Sequence, residues 1–156
     1  MIFRNQQHEE DYKALLSKSR NPDTYRQAYF YLLALVPDLS QRSDKLYDFE
    51  KEQLTDYALD INHAWHTSSS LRALRLGLNL YTDRPATNVE LTGEDKVDET
   101  AQYSASDIFY DMNAPYFWEA IQLRYPDHTN LEATQKMERM IEKARKEQRT
   151  KNFTIV

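Results

Sequence analysis

The chain contains no cysteine. That absence excludes disulfides, thiolate metal sites and a cysteine nucleophile, and it suits a reducing cytosol. Glycine is nearly missing too, with Gly77 and Gly93 the two examples in 156 residues. Sheet-rich folds turn on glycine, so the shortage points to helices. No run of about 18 apolar residues is present, and no membrane span is expected. The opening MIFRNQQHEEDYK lacks the apolar core of a secretory signal. Basic charge is also short: 20 Lys and Arg stand against 25 Asp and Glu, for a formal net charge of −5. A general nucleic-acid binder leaves a basic footprint, and the whole chain has none. Three familiar signatures are absent as well: the glycine-rich GKS/T loop, the HExxH zinc pattern and the GxSxG elbow.

What is present reads as an all-α protein. Hydrophobic residues make up 40 % and charged residues 29 %, a soluble globular mixture. The length suits one domain, residues 1–156, with a real core. Asn5 is placed to cap a first helix over 6–19, with His8, Tyr12, Leu15 and Leu16 inward. Asn21-Pro22 predicts the start of a second helix, 22–36, and its AYFYLLALV run makes it the most hydrophobic in the chain. Pro37 stops it. Leu39, Leu46, Tyr47 and Phe49 suggest a short helix capped by Ser40. Leu54, Tyr57, Ala58, Ile61 and Trp65 then follow the helical period.

The stretch WHTSSSLRALRLGLNLY, residues 65–81, is the most informative. Thr67 to Ser70 supply a cap, and residues 71–81 are apolar except at Arg72, Arg75 and Asn79. LRLGLNLY also alternates with the strand period, but no residue there is β-branched and leucine and arginine favour helix. Gly77 costs about 1 kcal/mol inside a helix, which close approach by a neighbour would explain. An acidic stretch over 82–103 is expected to form a mobile loop or a small hairpin. Ser104 or Ser106 caps a short helix carrying Ile108, Phe109 and Met112, and Asn113-Ala114-Pro115 opens another. A final amphipathic helix covers 130–148. The total is five to seven helices, with 22–36 and 70–81 as the central pair.

Four groups of residues invite a functional reading. Ser68, Ser69 and Ser70 at a helix start, with Arg72 and Arg75, are suited to an anion; the plainer arrangement has the serines capping and the arginines paired to internal carboxylates. Asp56, Asp60, His63 and His66 recur at helical spacings, with Asp60 and His63 nearest to a metal pair; a solvated acidic face is the expected arrangement, and no metal or cofactor is expected. Asp107, Asp111 and Glu119 are candidates for paired carboxylates, although capping accounts for Asp107. Met137, Met140, Ile141, Phe153 and Val156 form a narrow apolar set too exposed in pattern for a core, and they suit an interface.

Two blocks carry a family resemblance. One is Trp65-x-Thr67-Ser68-x-Ser70 followed by Arg75-Leu76-x-x-Asn79-Leu80. The other is Asp107-Ile108-Phe109 followed by Ala114-Pro115-Tyr116-Phe117-x-Glu119-Ala120-Ile121-x-Leu123-Arg124-Tyr125-Pro126. With MIFRNQQHEEDYKALL and TYRQAYFYLLAL, they resemble a family of small proteins of unknown function from low-GC Gram-positive bacteria and their mobile elements. The resemblance covers residues 1–81 and 104–127, with His66 standing where glutamine is expected. It implies a mainly helical bacterial protein of the cytoplasm and assigns no catalytic residue. The expectation is therefore a non-enzymatic accessory or interaction protein that forms a homodimer or binds an unknown protein partner, with neither nucleic acid nor membrane as partner. The alternative is an enzyme or ligand-binding protein with a phosphate-like pocket at 68–75.

Overall fold

The computed structural model describes residues 1–60, 63–83 and 104–153, the last five by backbone alone. The fold is all-α. Five helices of eleven residues or more carry it: α1 (Gln6–Lys18), α2 (Thr24–Leu35), α6 (Ser68–Thr82), α8 (Ala114–Arg124) and α10 (Leu131–Phe153). Between them lie short helical segments: α3 (Pro37–Ser40), α4 (Ser43–Leu46), α5 (Asp56–Leu59), α7 (Ala105–Phe109) and α9 (Pro126–Thr129). Among the described residues no helix is long and apolar enough to cross a membrane. The chain divides into two compact units, Met1–Arg124 and Tyr125–Val156.

In the first unit α2 is the centre. Every residue from Ala28 to Leu35 is buried, as expected for a helix that is apolar all round. It packs most extensively against α6, and then against α8 and α1. The expected central pair is thus the observed one. Tyr12 and Leu15 of α1, Leu74, Leu78 and Leu80 of α6, and Phe117 of α8 complete the core. Gly77 faces α2: a β-carbon there would stand 3.0 Å from Tyr29 Cδ2 and 3.6 Å from Leu32 Cδ1.

Buried tyrosines need partners for their hydroxyls. Tyr31 donates to the Ile2 carbonyl, and Tyr29 to the Leu46 carbonyl at 3.4 Å. The Tyr47 hydroxyl takes the Arg26 Nε–H at 2.8 Å. Burial raises the pKa of Tyr29, Tyr31 and Tyr47, and pushes that of Tyr12 up to about 12.

Several local expectations are corrected. The second helix is capped by Asp23, which accepts from Arg26 N and pairs with its guanidinium; the Asn21-Pro22 cap does not form. Ser40 ends α3 rather than capping a helix, because its hydroxyl is given to Asp11 at 2.5 Å. Met112 lies beyond α7 and is exposed.

Among the described residues of 54–65, α5 supplies the only helical turn, and Ile61 of the expected helix lies outside them. Leu54 instead pairs with Tyr47 in an antiparallel hairpin of β1 (Tyr47–Asp48) and β2 (Gln53–Leu54). His63 Nε2 donates to the Tyr57 carbonyl at 3.1 Å, and Trp65 Nε1 to the Tyr57 hydroxyl at 2.8 Å. These side chains fold the segment back on itself. The hairpin expected in the acidic stretch falls, from residue 84 to 103, outside the described residues.

Glu52 anchors the β1–β2 hairpin with a backbone φ of 56°, a region a non-glycine residue occupies only when its surroundings hold it there. Its carboxylate accepts from the Ser19 hydroxyl and the Arg20 amide, each at 2.9 Å, and faces Arg26 Nε at 2.9 Å. Burial pushes the Glu52 carboxyl up, yet these three donors outweigh it and hold it below its usual value.

The second unit consists of α9 and α10. Pro126 starts α9, and Asn130 caps α10 by accepting from the amides of Glu132 and Ala133 at 3.0 and 3.2 Å.

Candidate functional site

The start of α6 is built by a reciprocal cap. Thr67 Oγ1 accepts from the Ser70 amide at 3.1 Å, while Ser70 Oγ accepts from the Thr67 amide at 2.8 Å. Ser70 is fully buried and also meets His66 Nδ1 at 3.2 Å. The cap read from the sequence is the cap observed.

From that start, Ser69 and Arg72 reach the loop after α7. The Ser69 hydroxyl donates to Asp111 Oδ2 at 2.8 Å, and Arg72 Nη1 lies 3.4 Å from the same oxygen. Arg72 Nε donates to the Asp107 carbonyl at 2.7 Å. The other carboxylate oxygen of Asp111 accepts from the Asn113 amide at 2.8 Å and its side-chain nitrogen at 2.9 Å. The Asp111 side chain is 3 % exposed. Burial pushes its carboxyl up, but the bonds from Asn113, Ser69 and Arg72 outweigh it and keep it below the usual range. A carboxylate of the chain itself thus meets Ser69 and Arg72, the arrangement in which an internal acid supplies the anion. Arg75 is engaged as well. Ser68 is exposed at the surface of the cap.

Each member of the carboxylate set has a partner of its own. Asp107 takes the Ser104 hydroxyl, Asp111 is saturated as described, and Glu119 lies 3.5 Å from the Met1 amine. Asp60 Oδ2 stands 3.9 Å from His63 Nδ1. Among the described residues no three His, Asp or Glu side chains converge as metal ligands. His63 instead stacks on Tyr57 with ring centroids 3.8 Å apart, and His66 lies 3.8 Å from Trp65, which Arg42 covers at 4.4 Å.

His66 Nε2 is buried without a hydrogen-bond partner among the described residues. Burial, and then the charges of His63, Arg75 and Arg42, lower its pKa from 6.5 to about 4. His8 is lowered too, chiefly by burial. The unfolded chain takes up protons below pH 6.5 that the folded histidines refuse. Stability present above that pH is therefore lost as pH falls toward about 4. We expect urea midpoints to drop between about pH 7 and pH 5, less steeply for His66→Gln. Parallel slopes for the two chains would remove His66 from the acid response.

In the second unit, Ala133, Lys136, Met137, Met140, Ile141 and Ala144 share one face of α10. Met137 is 60 % exposed, Met140 64 % and Ile141 46 %. Ion pairs Glu142–Lys146 at 2.8 Å and Lys143–Glu147 at 4.0 Å follow the helical i, i+4 spacing. The Phe153 side chain and Val156 lie outside the described residues.

The model of a family of unknown function (DUF6075) matches residues 1–137. That match runs through the acidic stretch and into α10, beyond the blocks that carry the resemblance. No curated protein and no solved structure matches the chain.

Proposed function

Since the chain belongs to that family of unknown function, its role has to come from its own surface, and we propose that it is a non-enzymatic interaction protein that self-associates through α10. The exposure of Met137, Met140 and Ile141 carries this reading. Ala133, Met137, Met140 and Ala144 are spaced four, three and four residues apart, the alternation of a helix–helix seam. Large apolar side chains gathered on one solvent-facing stripe mark association surfaces, and methionine adapts to an irregular partner. The proposal sets this in a bacterial cytoplasm, in keeping with the lack of cysteine and with the resemblance to proteins of low-GC Gram-positive bacteria.

Native mass spectrometry of the full chain tests it. The wild type should show a doubled mass, and a chain with Met140→Glu and Ile141→Glu should show a single mass with unchanged helical circular dichroism. A wild type that stays single at about 100 μM, where even a micromolar dimer would form, overturns the proposal. The anion-pocket alternative requires that an outside anion compete with Asp111 for Ser69 and Arg72; its test is given with Asp111 below.

A further inference from the structure

A groove of about 560 Å³ opens beside the start of α1, between it and the α2–α3 junction. Its apolar side is formed by Ala34, Leu35 and Pro37, and two charges of opposite sign, Arg4 and Asp11, line it as well. Among the described residues neither charge forms an ion pair. The Arg4 guanidinium makes one hydrogen bond among the described residues, to the neutral Asn113 Oδ1 at 3.3 Å. Asp11 accepts from Gln7 Nε2 at 2.7 Å and from the Ser40 hydroxyl at 2.5 Å, and no cation reaches it among the described residues.

The donor and acceptor count leaves capacity on both walls. A guanidinium has five N–H donors and a carboxylate about four acceptor sites. Arg4 therefore retains most of its fork, and each Asp11 oxygen keeps a free lone pair. The two residues are seven positions apart, a rise of about 10 Å if the spacing were wholly helical. Asp11 sits inside α1, where side chains lean toward the N-terminus, and so toward Arg4. Opposite charges that share a groove, remain unpaired and flank an apolar wall are arranged for a ligand with a charge at each end.

We propose that this groove binds a zwitterion of dipeptide length, its carboxylate on Arg4, its ammonium on Asp11 and an apolar side chain against Ala34, Leu35 and Pro37. A free amino acid carries its two charges on one carbon, whereas a dipeptide separates them by a further residue. Pockets of this size ordinarily hold small molecules by an apolar wall and a few placed polar groups. The site lies in the first unit and stands independently of α10.

The test is calorimetric titration of the full chain with alanyl-leucine, N-acetyl-alanyl-leucine and alanyl-leucine amide. The free dipeptide should bind, and each blocked form should bind about tenfold more weakly or worse, the loss expected for one charge-assisted hydrogen bond. Arg4→Ala should abolish discrimination against the amide. Asp11→Asn keeps an acceptor for Ser40 and should abolish discrimination against the acetylated form. Discrimination that moves with each variant, on chains with unchanged circular dichroism, supports the site. No heat with about 10 mM alanyl-leucine, where a millimolar complex would be nearly saturated, overturns it. So does equal binding of the three probes, or discrimination against the amide that survives Arg4→Ala.

Discussion

Asp111→Ala is expected to lower the stability of the chain by about 3 kcal/mol, because buried charge-assisted bonds cost this much when one partner is removed. Four donors lose their acceptor at once: the Ser69 hydroxyl, Arg72 Nη1, and the backbone and side-chain nitrogens of Asn113. Asn113 is itself buried, so its two nitrogens have little access to water in exchange. Arg72 is partly exposed and recovers some hydration, which keeps the figure below that of a fully buried pair. Asp111→Asn retains an acceptor for the Asn113 amide and should cost about half as much. Urea unfolding near pH 7 measures both. A loss under about 1 kcal/mol for Asp111→Ala, the level of an ordinary surface change, would mean that Asp111 does not organise the start of α6. The same variant tests the alternative function. Restored stability in inorganic phosphate would show that Ser69 and Arg72 accept an outside anion, whereas no rescue would leave the site with its internal carboxylate alone.

Gly77→Val should be comparably damaging, at about 3 kcal/mol, the upper range for forcing extra carbons into a filled core. The β-carbon alone would stand 3.0 Å from Tyr29 Cδ2, tighter than ordinary van der Waals contact. Tyr29 has no room to yield: its ring is fully buried, and its hydroxyl bonds to the Leu46 carbonyl. Valine adds two further carbons on the same side, where Leu32 also lies. Gly77→Ala separates the effects. Alanine gains about 1 kcal/mol of helix propensity, which offsets the single tight contact, so that variant should unfold within about 1 kcal/mol of wild type. A wild-type midpoint for Gly77→Val would show that close approach by α2 is not the reason for glycine.

The long helices were legible because each follows a consistent helical period, and in two of them the cap is legible as well. Asn5 and Thr67 accept the expected amides, and the apolar run of α2 leaves no polar face to place in water. The helix suggested over 54–65 was not legible, since its pattern is genuinely helical. What overrides it is non-local: Leu54 is drawn into a ladder with Tyr47, and Glu52 is held in a left-handed conformation by Ser19, Arg20 and Arg26. Ser19, Arg20 and Arg26 stand about 26 residues or more before Glu52, outside any local window around residue 54.

The functional features divide in the same way. The exposed stripe on α10 can be read from spacing alone, because a helix with few apolar residues has little to bury. The groove beside α1 could not be read, since its apolar wall comes from residues about thirty positions away from Arg4. Asp111 was visible as one acid among several. Only the fold showed that it meets Ser69, forty-two positions earlier, instead of pairing with Asp107 or Glu119.

By itself the amino-acid sequence determined the helical class, the caps of α1 and α6, and the burial of α2. These follow from backbone propensity and periodicity, which act over a few residues. Tertiary structure decided where the hairpin forms, which carboxylate answers Arg72, and which charges share a groove without neutralising one another. Those outcomes depend on side chains brought together from distant positions, where a bond is worth making only after packing has removed the competing water.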